Sequence, residues 1–312
     1  MLGRMYPPWI GPPGGHLQVA AFATDRHSPL RRSLLGLGLL AGLGLVPGRS
    51  AQALVPASPV AADQTLAAWS ARFAREVDRR IEVPPAGRLR YIALLQQALA
   101  DAGLARMAAQ AFVLVDRSPQ VQTAAIVVST PTEGWYWLGA AAVSTGKTGT
   151  YEHFLTPLGA FPHSLANPDF RAEGTLNKNR IRGYGRRGMR VYDFGWQLGE
   201  RGWGAGNSSR LRLQMHATDP QVLESRLGRV ASEGCIRIPA TLNLFIDRYG
   251  VLDADYDLAL ARGDKPWVLR ADREPVPWPG RYLVIVESDT PERPEWAALP
   301  VAKSPPKPAA KR

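Results

Sequence analysis

Between residues 62 and 108 the apolar side chains recur with a helical period. Leu66, Trp69, Phe73, Val77 and Ile81 mark one face, and Pro84-Pro85 ends it. A second helix carries Leu89, Ile92, Leu95 and Leu99 on one side, with Gly103 placed as its C-cap. Ordinary core packing accounts for both stripes. From Ala111 the pattern becomes that of strands: 112–117 and 121–129, joined by Ser118-Pro119, then 136–144. Residues 146–149 read as a flexible loop, and 162–209 as a long loop excursion in which 177–190 carries six cations and little apolar periodicity. Residues 210–215 alternate polar and apolar up to His216, and Ala217-Thr218-Asp219-Pro220 turns the chain. Ser232 to Ile238 reads as a tight turn feeding a strand. A helix over 240–249, stopped by Gly250, and two strands at 267–270 and 281–286 follow. The sum is a mainly β chain with accessory helices.

The two ends differ from this middle. Arg31-Arg32 precede a glycine-spaced apolar run too short to span a bilayer, and Ala51-Gln52-Ala53 has the small-residue form of a cleavage site. Residues 1–53 therefore read as an export signal, by the twin-arginine or the general secretory route, which places the mature chain in the periplasm or cell envelope. No later stretch has the length of a membrane span. From Asp289 the chain turns Pro-, Ala- and Lys-rich and reads as a disordered basic tail.

Charge changes the picture less than its size suggests. The formal balance is +11; five arginines and one aspartate leave with residues 1–53, which lowers it to +7. The chain carries no helix-turn-helix, zinc-ligand or RNA-binding signature, so nucleic acid is not the expected partner, and an anionic polymer outside the cytoplasm suits the charge better.

The one cysteine, Cys235, lies nineteen positions after His216. A thiol is a strong nucleophile only as thiolate, so a catalytic cysteine calls for a base within reach and some exposure, and an imidazole supplies the base. Gly234 lets the chain bend so that amides near Cys235 face a developing oxyanion. A buried small hydrophobe and a satisfied core histidine are the commoner explanation of a Cys and a His at this separation taken alone. An unpaired thiol in an oxidising compartment favours the reactive alternative.

The words around this pair resemble the L,D-transpeptidase catalytic domain (YkuD-like). The resemblance rests on His216 followed by Ser232-Glu233-Gly234-Cys235-Ile236-Arg237, on Val143-Ser144-Thr145-Gly146 with Thr156-Pro157-Leu158-Gly159-Ala160-Phe161, and on the opening strand 112–116 with Gln120 and Gln122. It covers roughly residues 110–252. One position departs: the histidine usual two before the cysteine is Glu233 here. The resemblance implies a β-sandwich catalytic domain over 110–252, preceded by a helical segment at 54–109 and followed by a β extension at 253–288 and the tail at 289–312. It implies a transferase of peptidoglycan biosynthesis, acting on stem tetrapeptides in cell wall organization and cell shape, with no cofactor and no metal. Cys235 would be the nucleophile and His216 the general base. The Gly234 amide would serve the oxyanion, the Ala217 carbonyl would orient the imidazole, and Arg237, Ser232 and Glu233 would contact substrate. Carboxypeptidase or cross-link hydrolase activity at the same Cys/His site, or a non-catalytic wall-binding module, stands beside it. Tyr151, His153 and His163 are further candidates near the groove, and the sequence does not set the oligomeric state.

Overall fold

Two mixed sheets and four helices make up the computed structural model, which describes residues 59–105, 107–130 and 134–299. The export signal expected at 1–53 and the tail beyond 299 lie outside the described residues. All described residues belong to one compact unit.

Helix α1 (Pro59–Glu76) and helix α2 (Pro85–Asp101) stand where two helices were expected. But α1 stops short of Val77 and Ile81, which follow in a non-helical stretch where Arg80 bridges Ala141, so the prolines open α2 and do not end α1. Pro84 and Pro85 act as a boundary because a ring-locked φ suits the first helical position, and Gly103, at φ +72°, closes the far end. Strands β1 (Ala111–Asp116), β2 (Thr123–Ser129) and β3 (Trp135–Ala142) form an antiparallel meander. β4 (Gly159–Pro162) and β9 (Tyr282–Val286) complete a five-stranded sheet ordered β3-β2-β1-β9-β4, in which β9 runs parallel to β1. The second sheet has four strands in the order β5 (Phe170–Arg171), β6 (Arg190–Glu200), β7 (Ser208–Ala217) and β8 (Ile236–Ile238). β7 and β8 run parallel, with His216 opposite Arg237.

Alternation along the strands sorts the core. One buried cluster joins Val113, Val115 and Ile126 of the larger sheet to Tyr192, Phe194, Leu213, Met215 and Ile236 of the smaller one, with Phe73 of α1 and Phe245 and Ile246 of α3 (Ala240–Arg248). A second lies on the other face of the larger sheet, where Phe112, Leu114, Val127 and Val284 meet Tyr91, Leu95 and Leu99 of α2. Both helices of the N-terminal segment are therefore sealed to the larger sheet. At about 25 cal/mol per Å² of apolar surface removed from water, each such buried Leu or Phe contributes roughly 2 kcal/mol.

Other expectations change. Within 162–209 the loop is interrupted by β5 and β6 and resumes over 201–207: Arg190 to Phe194 is wholly buried, and β6 is an inner strand. Residues 267–270 form turns, not a strand, and α4 (Ala254–Ala261) stands in the region expected to be β extension. Residues 289–299 are not a loose tail, since Ala297 is buried and Trp296 packs edge-on against Tyr91 at 6.2 Å.

The misread β6 owes its character to a buried ionic network. Arg190 donates to Asp169 at 2.6 Å and to Asp253 at 3.1 Å. His163 faces Asp169 through Nε2 at 2.9 Å and the Leu252 carbonyl through Nδ1 at 2.7 Å. Two acceptors on two ring nitrogens require both to carry protons, so His163 is an imidazolium, and Asp169 holds its pKa above the usual value against the cost of burial. Among the described residues no helix is long and apolar enough to cross a membrane.

Candidate functional site

β8 holds only three residues, and its shortness creates the site. Upstream of Ile236 the chain leaves the ladder, and the Cys235 sulfur lies at the bare edge of β7, 3.9 Å from the Arg212 carbonyl and beside the Gln214 amide. The thiol is half-buried and free. His216, two residues further along β7 than Gln214, is almost fully buried, and its Nδ1 donates to the Ala217 carbonyl at 2.8 Å. That bond fixes the tautomer and leaves the Nε2 lone pair as the basic atom. Tyr184 covers the imidazole edge-on at 4.7 Å and hydrogen-bonds Gln214 at 3.3 Å. Sulfur and imidazole share no hydrogen bond in the resting arrangement. The ladder spacings put their Cα atoms about 8 Å apart.

The turn carrying Cys235 is held by residues distant in sequence. Gln122 binds Thr145 through both ends of its amide, the Thr145 carbonyl accepts the Ser232 and Ala231 amides, and Ser144 pairs with Arg237 through two 2.9 Å backbone bonds. Thr156 takes the Gly146 amide at 2.9 Å and donates to the Gly234 carbonyl at 2.8 Å. Gly146, expected to be flexible, is thus pinned, and a Cβ there would lie 1.9 Å from the Phe154 carbonyl oxygen. Gly234 sits at φ +126°, a conformation that excludes most side chains.

Inside the turn, the Ser232 hydroxyl donates to the Cys235 carbonyl at 2.5 Å and accepts the Gly234 amide at 3.2 Å. The Gly234 amide is thereby occupied, while the Cys235 amide has no acceptor among the described residues. Ser232 is wholly buried and braces the turn. Glu233 is exposed beside the thiol and forms no salt bridge among the described residues, though its charge acts on Arg237, which is half-buried and donates to the Ala231 carbonyl at 3.0 Å. Tyr151 is exposed and leans on Trp203, His153 is half-buried, and His163 belongs to the buried network against Tyr192 and Phe194, on the core side of the smaller sheet. Sequence reasoning missed both Tyr184 and Gln214: Tyr184 arrives on a turn ahead of β6 and carried no signal, whereas Gln214, two positions before His216 on β7, shares its face by the alternation of the strand.

Electrostatics keep the pair neutral. Burial pushes the Cys235 thiol up to about 11, helped by the Glu233 and Asp193 carboxylates and opposed by the Gln214 amide and Arg237. Burial also lowers His216 to about 4, with Arg237 adding to the fall and the Ala217 carbonyl opposing it. A neutral thiol beside a neutral imidazole with a free Nε2 suits general-base activation during attack, not a standing thiolate. Among the described residues no group of three or more His, Cys, Asp and Glu is placed to hold a metal ion. No family model matches the chain, and no curated protein matches it.

Proposed function

We propose that this protein is a cysteine acyltransferase of the L,D-transpeptidase type, an exported envelope enzyme whose two sheets form the β-sandwich of that family. The observation that carries the proposal is convergence. Gln122, the 143–146 block and Thr156 lie far apart in sequence and resemble one family's words, and they meet through hydrogen bonds around the turn that bears Cys235.

In this mechanism the sulfur swings from the Arg212 carbonyl toward His216. Nε2 removes the thiol proton as the sulfur attacks the carbonyl that follows the third residue of a stem tetrapeptide. The new oxyanion accepts from the Cys235 amide. Collapse breaks the peptide bond, the departing D-alanine nitrogen takes the proton back from the imidazolium, and a thioester remains. An amine then attacks the thioester while His216 takes its proton; the new amide forms and the thiolate leaves, to be reprotonated by His216. Arg237, which makes no salt bridge among the described residues, is the group that holds a substrate carboxylate.

Incubating the protein with tetrapeptide muropeptides and resolving the products tests this. Cross-linked dimers are expected. Tripeptide alone would instead identify a hydrolase using water as acceptor, and unchanged substrate a binding module. Retained turnover by Cys235→Ala would remove the nucleophile assignment.

A further inference from the structure

The polar face of β6 and β7 continues past the thiol into a surface the chemistry above does not use. Trp196 is 54 % exposed and Leu198 71 % exposed, on an inner pair of strands where large apolar side chains normally pack inward. They stand opposite Arg212 and Arg210 in the ladder. Both guanidinium groups lie against the indole, Arg210 at 5.3 Å and Arg212 at 5.9 Å from the ring centroid. Arg212 is spent on Asp193 at 2.8 Å. Arg210 is exposed and has no carboxylate partner among the described residues. The same Arg212 gives its carbonyl to the Cys235 sulfur, so this surface starts at the level of the thiol. Trp196, on β6, lies two strand spacings from β8 and the turn that bears Cys235, about 10 Å, which is the span of roughly three extended residues.

We propose that Trp196, Leu198 and Arg210 form the donor subsite: an acidic peptide lies across them, apolar parts on the indole and a carboxylate on Arg210, about three residues before the bond that Cys235 attacks. The choice of an acidic peptide follows from charge, since the one unpaired cation of the platform is held in place by the ring beneath it, and arginine beside tryptophan is the composition of a binding hot spot. The proposal rests on the acyl-transfer reading. It adds to that reading which residues select the donor.

The test compares wild type, Arg210→Gln and Trp196→Ala with an acidic tetrapeptide and with the same peptide whose side-chain and internal carboxylates are amidated. Alkylation of Cys235 by iodoacetamide, small and neutral, reports an intact thiol site in each variant, and thermal melting reports the fold. For Arg210→Gln, KM for the acidic peptide should rise about tenfold, the size expected for one charge-assisted hydrogen bond. Neither the amidated peptide nor the alkylation rate should respond. Equal KM values for acidic peptide in wild type and both variants would overturn the subsite. If wild type forms no product, the transfer reading fails by itself. The subsite is then decided by calorimetry on Cys235→Ala protein: a preference for acidic over amidated peptide that Arg210→Gln abolishes supports it, and equal affinities refute it.

Discussion

The neutrality of the Cys235 and His216 pair yields the sharpest prediction. Moving the thiol proton to the imidazole sets a pKa of about 11 against one of about 4, a gap of about 7. That gap corresponds to roughly 9 kcal/mol, of which attraction between the new charges returns about 4 kcal/mol at contact in a partly wet site. The remaining 5 kcal/mol or so leaves an ion pair on the order of one molecule in several thousand at neutral pH. Alkylation of Cys235 by iodoacetamide should therefore climb about tenfold for each pH unit from 6 upward and level off only near pH 11. A thiolate stabilised by imidazolium would behave otherwise, reaching its full rate near pH 5 and staying flat. A plateau between pH 5 and 8 would refute the whole electrostatic account of the site, because burial would then not be the dominant effect on either group.

Other expectations follow from the same geometry. The folded pKa of His216 lies below the ordinary 6.5, so its contribution to stability is complete above that pH and is lost as pH falls toward 4, by about 3 kcal/mol. Urea unfolding from neutrality down to about pH 4 should show that loss in wild type and not in His216→Gln. Asp169→Asn removes the carboxylate shared by Arg190 and His163 and should lower stability by about 3 to 5 kcal/mol, read from the denaturant midpoint. Gly146→Ala drives a methyl group into the Phe154 carbonyl; a loss of about 2 kcal/mol or more is expected in melting, together with Cys235-dependent turnover. A variant as stable and active as wild type would show that the 143–146 block does not hold the turn.

The sequence made some parts of this molecule legible and hid others, for identifiable reasons. The helices α1 and α2 were readable because each buries one periodic face, as Phe73 and Leu95 show, and β1 and β2 because they are short, continuous, largely apolar runs buried on both faces. β6 was not, because its first residue is an arginine and the segment before it is rich in glycine and cations. A charged side chain signals solvent until its buried carboxylate partners, Asp169 and Asp253, are known, and those lie 21 and 63 residues away. Residues 267–270 failed in the opposite way: an apolar run suggested a strand where Val268 merely fills a gap under turns. At the site, chemistry marked Cys235 and His216 as a candidate pair, and the resemblance pointed to the Ala217 carbonyl, which accepts from the imidazole. The hydrogen bonds of Ser232 with Gly234 and Cys235 depend on where one hydroxyl points, which no local pattern encodes.

The place of β9 constrains how the chain reaches its native form. It enters between β1 and β4, parallel to β1, from about 170 residues downstream. A ribosome adding about 5 to 20 residues per second needs on the order of ten seconds to cover that distance. Throughout that interval β1 has one bare flank and β4 has no neighbour at all. Those unpaired backbones invite self-association, so a chain cut upstream of Tyr282 should emerge as aggregate.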